Sequence, residues 1–292
     1  MKSDEHILKQ DVFKFFNYKW GRVPDWGEAT ETKYRHWYLR KYNFESSTEL
    51  AEFLNTRSKC ADIGSGLGRD VKFFRELAPA LDITAVDQSE PALKVIAERY
   101  PSVHVVRQDI TNSREMLDNL GDGFDFISCD QVLHHTPDPL EVLKSFSNML
   151  SEGGVLHFFV CAKKNEYRDL VDDVLMHHAR NLTPQRLWQF AEAVTVLGKE
   201  LHEIHEGEVE FRDRSYESLQ NFVHNQVFRC WYDPSIPFEL SVSSNYDWFS
   251  NNPRYSVSEV ESWMTDLSES LELVNLYSDD ACVAVVARRI GY

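Results

Sequence analysis

The residues best equipped for chemistry cluster in the first half of the chain. Asp62-Ile63-Gly64-Ser65-Gly66-Leu67-Gly68 sets three glycines at alternate positions between an apolar run, residues 60–63, and a stretch of helical spacing, residues 71–77. Glycines in such a turn let the backbone approach a ligand with no Cβ in the way. The helix behind it offers unpaired N–H groups. Asp87 ends the next apolar run, where a carboxylate can accept hydrogen bonds from both hydroxyls of a ribose. Asp109 follows the third run in Arg107-Gln108-Asp109-Ile110, and Asp130-Gln131 follow the fourth. Then comes His134-His135-Thr136-Pro137-Asp138. A histidine titrates near neutrality and can serve as a general base toward a hydroxyl. It can equally cap a helix or pack a loop, and both readings stand for His134.

The surrounding pattern supplies the elements that must hold these groups. Apolar runs at 60–63, 81–86, 103–106, 124–129 and 155–161 read as strands with little polar interruption. Helical spacing at 71–77, 91–99 and 140–150 lies between them, with the last stopped by Gly153-Gly154. The histidine stretch is placed at the start of the helix after the fourth strand. Such alternation predicts a doubly wound α/β sheet, with its ligand beyond the carboxyl ends of the strands. A helix at 256–267 and two strands, 271–277 and 281–287, joined at Ser278-Asp279-Asp280, predict a closing antiparallel hairpin. The domain reading is an N-terminal helical cap at 1–57, broken near Pro24; a core of 58–162 and 253–292; and a helical, aromatic-rich insertion at 163–252. The aromatics of the cap, among them Phe13 and Trp26, and of the insertion could form a binding wall or simply a core.

Composition limits the partners. The 292 residues are 42% hydrophobic and 13% aromatic, as suits a globular chain, and carry a formal charge of −16. That charge opposes nucleic-acid phosphates, so no nucleic-acid partner is expected. Lys14, Lys19, Arg22, Lys33, Arg35, Arg40 and Lys41 are a local exception, read either as a solvated helix face or as a site for an anionic group. No run approaches the length of a membrane span, and the first residues lack a signal-peptide core, so a cytoplasmic protein without membrane association is expected. Cys60, Cys129, Cys161, Cys230 and Cys282 are scattered and form no CxxC, which argues against a zinc ribbon or a disulfide framework. His177-His178 and the His202/His205 pair are weak metal candidates, and no metal is expected.

The glycine loop and Asp87 suit NAD as well as S-adenosylmethionine. Arg69 occupies the slot of the third glycine that a dinucleotide loop needs, an acidic residue follows the third strand, and the sheet ends in a hairpin; these favour S-adenosylmethionine. CADIGSGLGRD, AVDQS, RQDI and DFISCDQVLHHTPDP with LSEGG occur in the order of the motifs of the class I S-adenosylmethionine-dependent methyltransferases, which this chain resembles over about residues 58–162 and 256–289. The resemblance implies a seven-stranded Rossmann-like sheet. It implies that Gly64, Gly66 and Gly68 pass under the methionine end of the cofactor and that Asp62 favours its ammonium. It assigns the ribose to Asp87, places Gln88 beside the adenine, gives the adenine edge to Asp109 and the Ile110 N–H, and sets Asp130 and Gln131 near the reacting centre. LHHxPD resembles small-molecule and sugar O-methyltransferases, where the first histidine, here His134, serves as base with support from a carboxylate on strand five; Val160 stands at that position here. FNYKWG and Tyr246-Asp247-Trp248-Phe249 resemble a bacterial subgroup linked to sugars, lipids and secondary metabolites. The expectation is therefore methyl transfer to an oxygen or nitrogen of a small-molecule acceptor, with S-adenosylhomocysteine as product. A different S-adenosylmethionine chemistry or a non-catalytic binding partner are the alternatives, and the insertion could form a homodimer contact.

Overall fold

The computed structural model describes residues 14–23, 28–251 and 253–291; the expectations at Phe13, Pro24 and Trp26 fall outside them. Divisions at 32/33, 162/163 and 252/253 separate two compact units. The first of these falls inside the segment 1–57, which was expected to be a single cap, so residues from Lys33 onward belong to the same unit as the sheet.

Residues 14–20 are helical (α1), followed by α2 (Glu28–Lys41) and α3 (Ser47–Asn55). The sheet unit then runs β1 (Lys59–Ile63), α4 (Arg69–Leu77), β2 (Asp82–Asp87), α5 (Glu90–Arg99), β3 (His104–Arg107), α6 (Ser113–Leu120), β4 (Phe124–Cys129), α7 (Pro139–Met149) and β5 (Leu150–Cys161). After the other unit it resumes with α12 (Val257–Asp266), β8 (Leu271–Ser278) and β9 (Cys282–Arg289). The strand order is β3-β2-β1-β4-β5-β9-β8. β1 through β5 pair in parallel, while β9 is antiparallel to both β5 and β8. This is the seven-stranded doubly wound sheet with a C-terminal hairpin that the sequence leads one to expect.

Burial explains why the central strands read as unbroken apolar runs. Ile63, Val86, Ile127 and Phe158 are inaccessible, packed with Leu143 and Phe146 of α7 and with Val260 of α12. The chain order reverses between β1 and β4, and Asp62 of β1 lies level with Ala85 of β2 and Ser128 of β4. Gly64 and Asp130, just past their strands, and Asp87, the last residue of β2, therefore emerge at one end of the sheet, where a doubly wound fold places its ligand.

The structure corrects one expectation here. His134 does not begin the helix after β4. It lies in a short 3-10 turn, Leu133–His135, and α7 starts only at Pro139, capped by the Asp138 side chain, which accepts from the Glu141 N–H. Pro137 is the cause: the residue before a proline is pushed out of the helical region, and Thr136 has ψ 148°.

The other unit comprises α8 (Glu166–Ala179), α9 (Pro184–Ile204), a small hairpin of β6 (Val209–Phe211) and β7 (Arg214–Tyr216), α10 (Leu219–Gln226) and α11 (Phe238–Asn251). Five of its large aromatics, Trp188, Tyr216, Tyr246, Trp248 and Phe249, are buried in its core. A polar network runs among them. Asp172 pairs with the fully buried Arg168 and accepts from Trp248 Nε1 at 2.8 Å. Arg229 donates to Asn245 Oδ1 at 2.8 Å, and Asn245 donates to Thr195 Oγ1 at 2.8 Å. Gly198 is required there because a Cβ would meet the Cys230 carbonyl oxygen at 2.3 Å.

Candidate functional site

The glycine loop leaves β1 with its first two amides, those of Gly64 and Ser65, donating to the Val86 carbonyl of β2 at 2.7 and 3.0 Å. Gly64, Gly66 and Gly68 all adopt positive φ, at 73°, 50° and 82°, a region L side chains rarely occupy. A Cβ on Gly64 would also collide with the Val132 side chain at 2.2 Å. The loop thus has no room for a larger residue, and α4 begins directly behind it.

The carboxylates expected around the loop fall into different states. Asp62 is buried, and its Oδ2 has no hydrogen-bond partner. Burial, then the negative charge of Asp70, pushes its pKa well above the usual carboxylate range; Asp130 and Asp87 add to this, and Arg69 opposes it. Asp87 is half-buried: Oδ2 accepts from the Gly66 N–H at 2.9 Å and Oδ1 from the Ser89 N–H at 2.8 Å. Asp109 folds back on its own turn, accepting from the Thr111 N–H at 2.9 Å and hydroxyl at 2.7 Å. Ile110 beside it is buried, and Gln88 is half-buried, its carbonyl accepting from Arg107 Nε at 3.2 Å.

Asp130 is different in kind. It is buried and surrounded by donors: Lys41 at Oδ1, the Tyr42 hydroxyl at Oδ1 (2.7 Å), Arg69 at Oδ2 (2.7 Å) and Gln131 Nε2 at Oδ2 (3.1 Å). Despite burial, these two cations and the hydroxyl hold its carboxyl well below the usual range. Arg69 also makes a two-pronged contact with Asp70, at 2.8 and 2.9 Å, and lies over the Tyr34 ring at 4.8 Å. The Lys41 ammonium sits over Trp37 at 4.0 Å and Phe159 at 4.7 Å. Gln131, next in the chain, has φ 63°.

Lys41, Tyr42 and Arg69 are the residues that sequence reasoning did not assign to this site. For Lys41 the signal was present in the basic cluster near the N-terminus. The solvated-face reading of that cluster does not hold for Lys19 and Lys41, which are buried and paired with Asp247 and Asp130 respectively. Arg40 reaches Asp279 at 3.7 Å.

His134 is buried against the Phe159 ring, with centroids 5.7 Å apart. The Phe159 backbone carbonyl accepts from one ring nitrogen, and Nδ1 has no partner. Burial, then the neighbouring His135, lowers its pKa well below the ordinary histidine value, so the ring is neutral at physiological pH. The position on β5 that a supporting carboxylate would need is the buried Val160. All five cysteines are buried, and none forms a disulfide. Among the described residues no cluster could hold a metal ion, and no helix is long and apolar enough to cross a membrane.

A methyltransferase-domain family model matches residues 61–156, the stretch carrying the glycine loop, Asp87, Asp109 and Asp130. Over that stretch the chain is similar to a methyltransferase domain. An uncharacterized protein of a Synechococcus strain is 35% identical over 109 residues, 37% of this chain and 26% of that protein. A ubiquinone biosynthesis O-methyltransferase of Colwellia psychrerythraea is 26% identical over 144 residues, 45% of this chain and 57% of its own length. The matches thus span between about a quarter and just over half of these relatives. The plantazolicin methyltransferase BpumL, solved with S-adenosylhomocysteine, shares the fold at a TM-score of 0.50 and 12% identity, with both chains covered completely. The methyltransferase domain is continuous with β8 and β9, which complete its sheet.

Proposed function

We propose that the protein is an enzyme that transfers a methyl group from S-adenosylmethionine to an oxygen or nitrogen of a small molecule. The observation that carries this reading is the buried Asp62 Oδ2, without a partner, at the mouth of a glycine loop whose geometry excludes side chains. A buried carboxyl without a donor is costly, and an ammonium group is the counterpart that removes the cost. The glycine loop accommodates the methionine portion, Asp87 at the end of β2 accepts from the ribose hydroxyls, and Asp109, Ile110 and Gln88 border the adenine. The ubiquinone-pathway relatives favour oxygen as the acceptor atom.

Bound there, S-adenosylmethionine supplies a methyl group already activated on a sulfonium, so the protein's tasks are alignment and exclusion of water. His134 serves as the proton acceptor. Its ring is neutral and its Nδ1 lone pair uncommitted, so it can take the proton of an acceptor hydroxyl. The Phe159 carbonyl fixes the ring orientation in place of a carboxylate. Asp130 and Gln131 border the reacting centre in this reading. Asp130 acts there through the groups it holds, since Lys41, Tyr42 and Arg69 already occupy it.

The test is incubation of the protein and S-adenosylmethionine with panels of phenols, sugars and amines, following S-adenosylhomocysteine and methylated product together. Methylated product formed in equal amount supports the reading. Cofactor breakdown products without a methylated acceptor identify a different S-adenosylmethionine chemistry. Replacement His134→Ala should slow single-turnover transfer to a hydroxyl, and an unchanged rate removes the base role.

A further inference from the structure

The methyl-donor site is tied to α2 through one buried chain of contacts. Lys41, the last residue of α2, and the adjoining Tyr42 both bind Asp130 Oδ1. Asp130 Oδ2 binds Arg69, the first residue of α4 and the immediate neighbour of Gly68. Tyr34, one face further back on α2, covers the same guanidinium at 4.8 Å. From Asp130 the chain passes through Gln131, in a left-handed conformation, to Val132, whose side chain fills the space that a Cβ on Gly64 would need. Both ends of the glycine loop are therefore braced from Asp130: Gly68 through Arg69, Gly64 through Val132.

We propose that Lys41 is a positioning residue for the methyl donor, transmitting the docking of α2 through Asp130 to both ends of the glycine loop. The proposal rests on the assignment of that loop to S-adenosylmethionine. Its physical basis is the balance of charge. Asp130 is buried and needs cations close by. Arg69 is shared with Asp70, so it cannot neutralise both carboxylates. Lys41 supplies the missing charge, and it is held there by Trp37 and Phe159 on the faces of its ammonium. Without the Lys41–Asp130 pair the two braces of the loop lose their anchor on α2, even where the charge is balanced. The other direction follows by reciprocity: a ligand that orders the loop must also tighten α2.

Two variants separate this role from simple stabilisation. Lys41→Met leaves Asp130 short of a cation; the double variant Lys41→Met/Asp130→Asn removes the charge as well and restores neutrality. Each is examined by titration calorimetry with S-adenosylhomocysteine, by thermal melting, and by amide exchange over residues 34–42 with and without that ligand. In the wild type, S-adenosylhomocysteine should slow exchange across 34–42. The double variant should melt close to the wild type yet bind about tenfold more weakly, with the ligand no longer protecting 34–42; Lys41→Met should show the same loss of affinity wherever it folds. A double variant that binds as the wild type does and keeps that protection overturns the proposal while leaving the cofactor assignment intact. Failure of the wild type to bind S-adenosylhomocysteine overturns both.

Discussion

Asp62 and Asp130 carry the same side chain and are both buried near the same loop, yet their surroundings set them apart. Asp130 is ionised because Lys41, Arg69 and Tyr42 surround it; Asp62 is pushed toward its neutral form by burial and by the neighbouring charge of Asp70, and its Oδ2 has no donor. A cation bound at Asp62 favours ionisation and so expels the proton the free protein holds there. The sign is fixed by the raised pKa: cofactor affinity should rise with pH up to the free Asp62 pKa, with a slope of at most one proton, and level off above it. Calorimetry in buffers of different ionisation enthalpy should register proton release below the free Asp62 pKa. Asp62→Asn should abolish the release and weaken binding by about 1.5–3 kcal/mol, the usual worth of a hydrogen bond to a charged group. A wild type that binds with no proton exchange at any pH below that range would contradict this account of Asp62. The type and place of Asp62 could be read from the sequence because they belong to a local motif. The state of Asp130 could not, because its partners come from residues 41, 42 and 69, and only the packing of α2 brings them together.

At the scale of elements, periodicity identified the strands well because β1, β2 and β4 are buried on both faces along most of their length. It was less informative where local chemistry decides. Pro137 displaced the start of α7 and left His134 on a short turn. The helix α6, with few apolar residues but an Asn112 cap that accepts from the Glu115 N–H, did not stand out by spacing, and neither did the small hairpin β6–β7. The junction between the glycine loop and the segment after β4 gives a sharp prediction. Gly64→Ala combines a strained φ of 73° with a Cβ placed 2.2 Å from Val132. It should destabilise the protein by about 1–3 kcal/mol, as overpacking does, seen as a lower urea midpoint. The pair Gly64→Ala/Val132→Ala should recover part of that loss, since only the steric portion is relieved and the backbone strain remains. No recovery in the pair would show that Val132 is not what the glycine accommodates.

The whole molecule joins a recognisable methyltransferase sheet to a second unit whose aromatics form its own core, so neither unit's stability is read from the other. Within the sheet unit, His134 and His157 are buried and neutral, with His157 lowered to about 3, chiefly by burial. An unfolded histidine titrates near 6.5, so below that pH the unfolded chain takes up protons that the folded one refuses. Stability is therefore full above pH about 6.5 and declines as pH falls, by about 1.4 kcal/mol per pH unit for each such histidine. Asp62 works in the opposite sense, because its raised pKa lets the folded state hold a proton; it offsets no more than one of the two. The urea midpoint should thus fall between about pH 6.5 and pH 5, where both histidines contribute and Asp62 offsets only one of them, and His157→Phe should shallow that fall. An unchanged midpoint over this range would contradict the buried neutral state of these rings. The central claim is that the glycine loop with Asp62 receives S-adenosylmethionine. Titration calorimetry of the intact protein with S-adenosylhomocysteine tests it most directly: the account predicts saturable binding at one site per chain, while an absence of binding, with saturable binding of NADH instead, would contradict it.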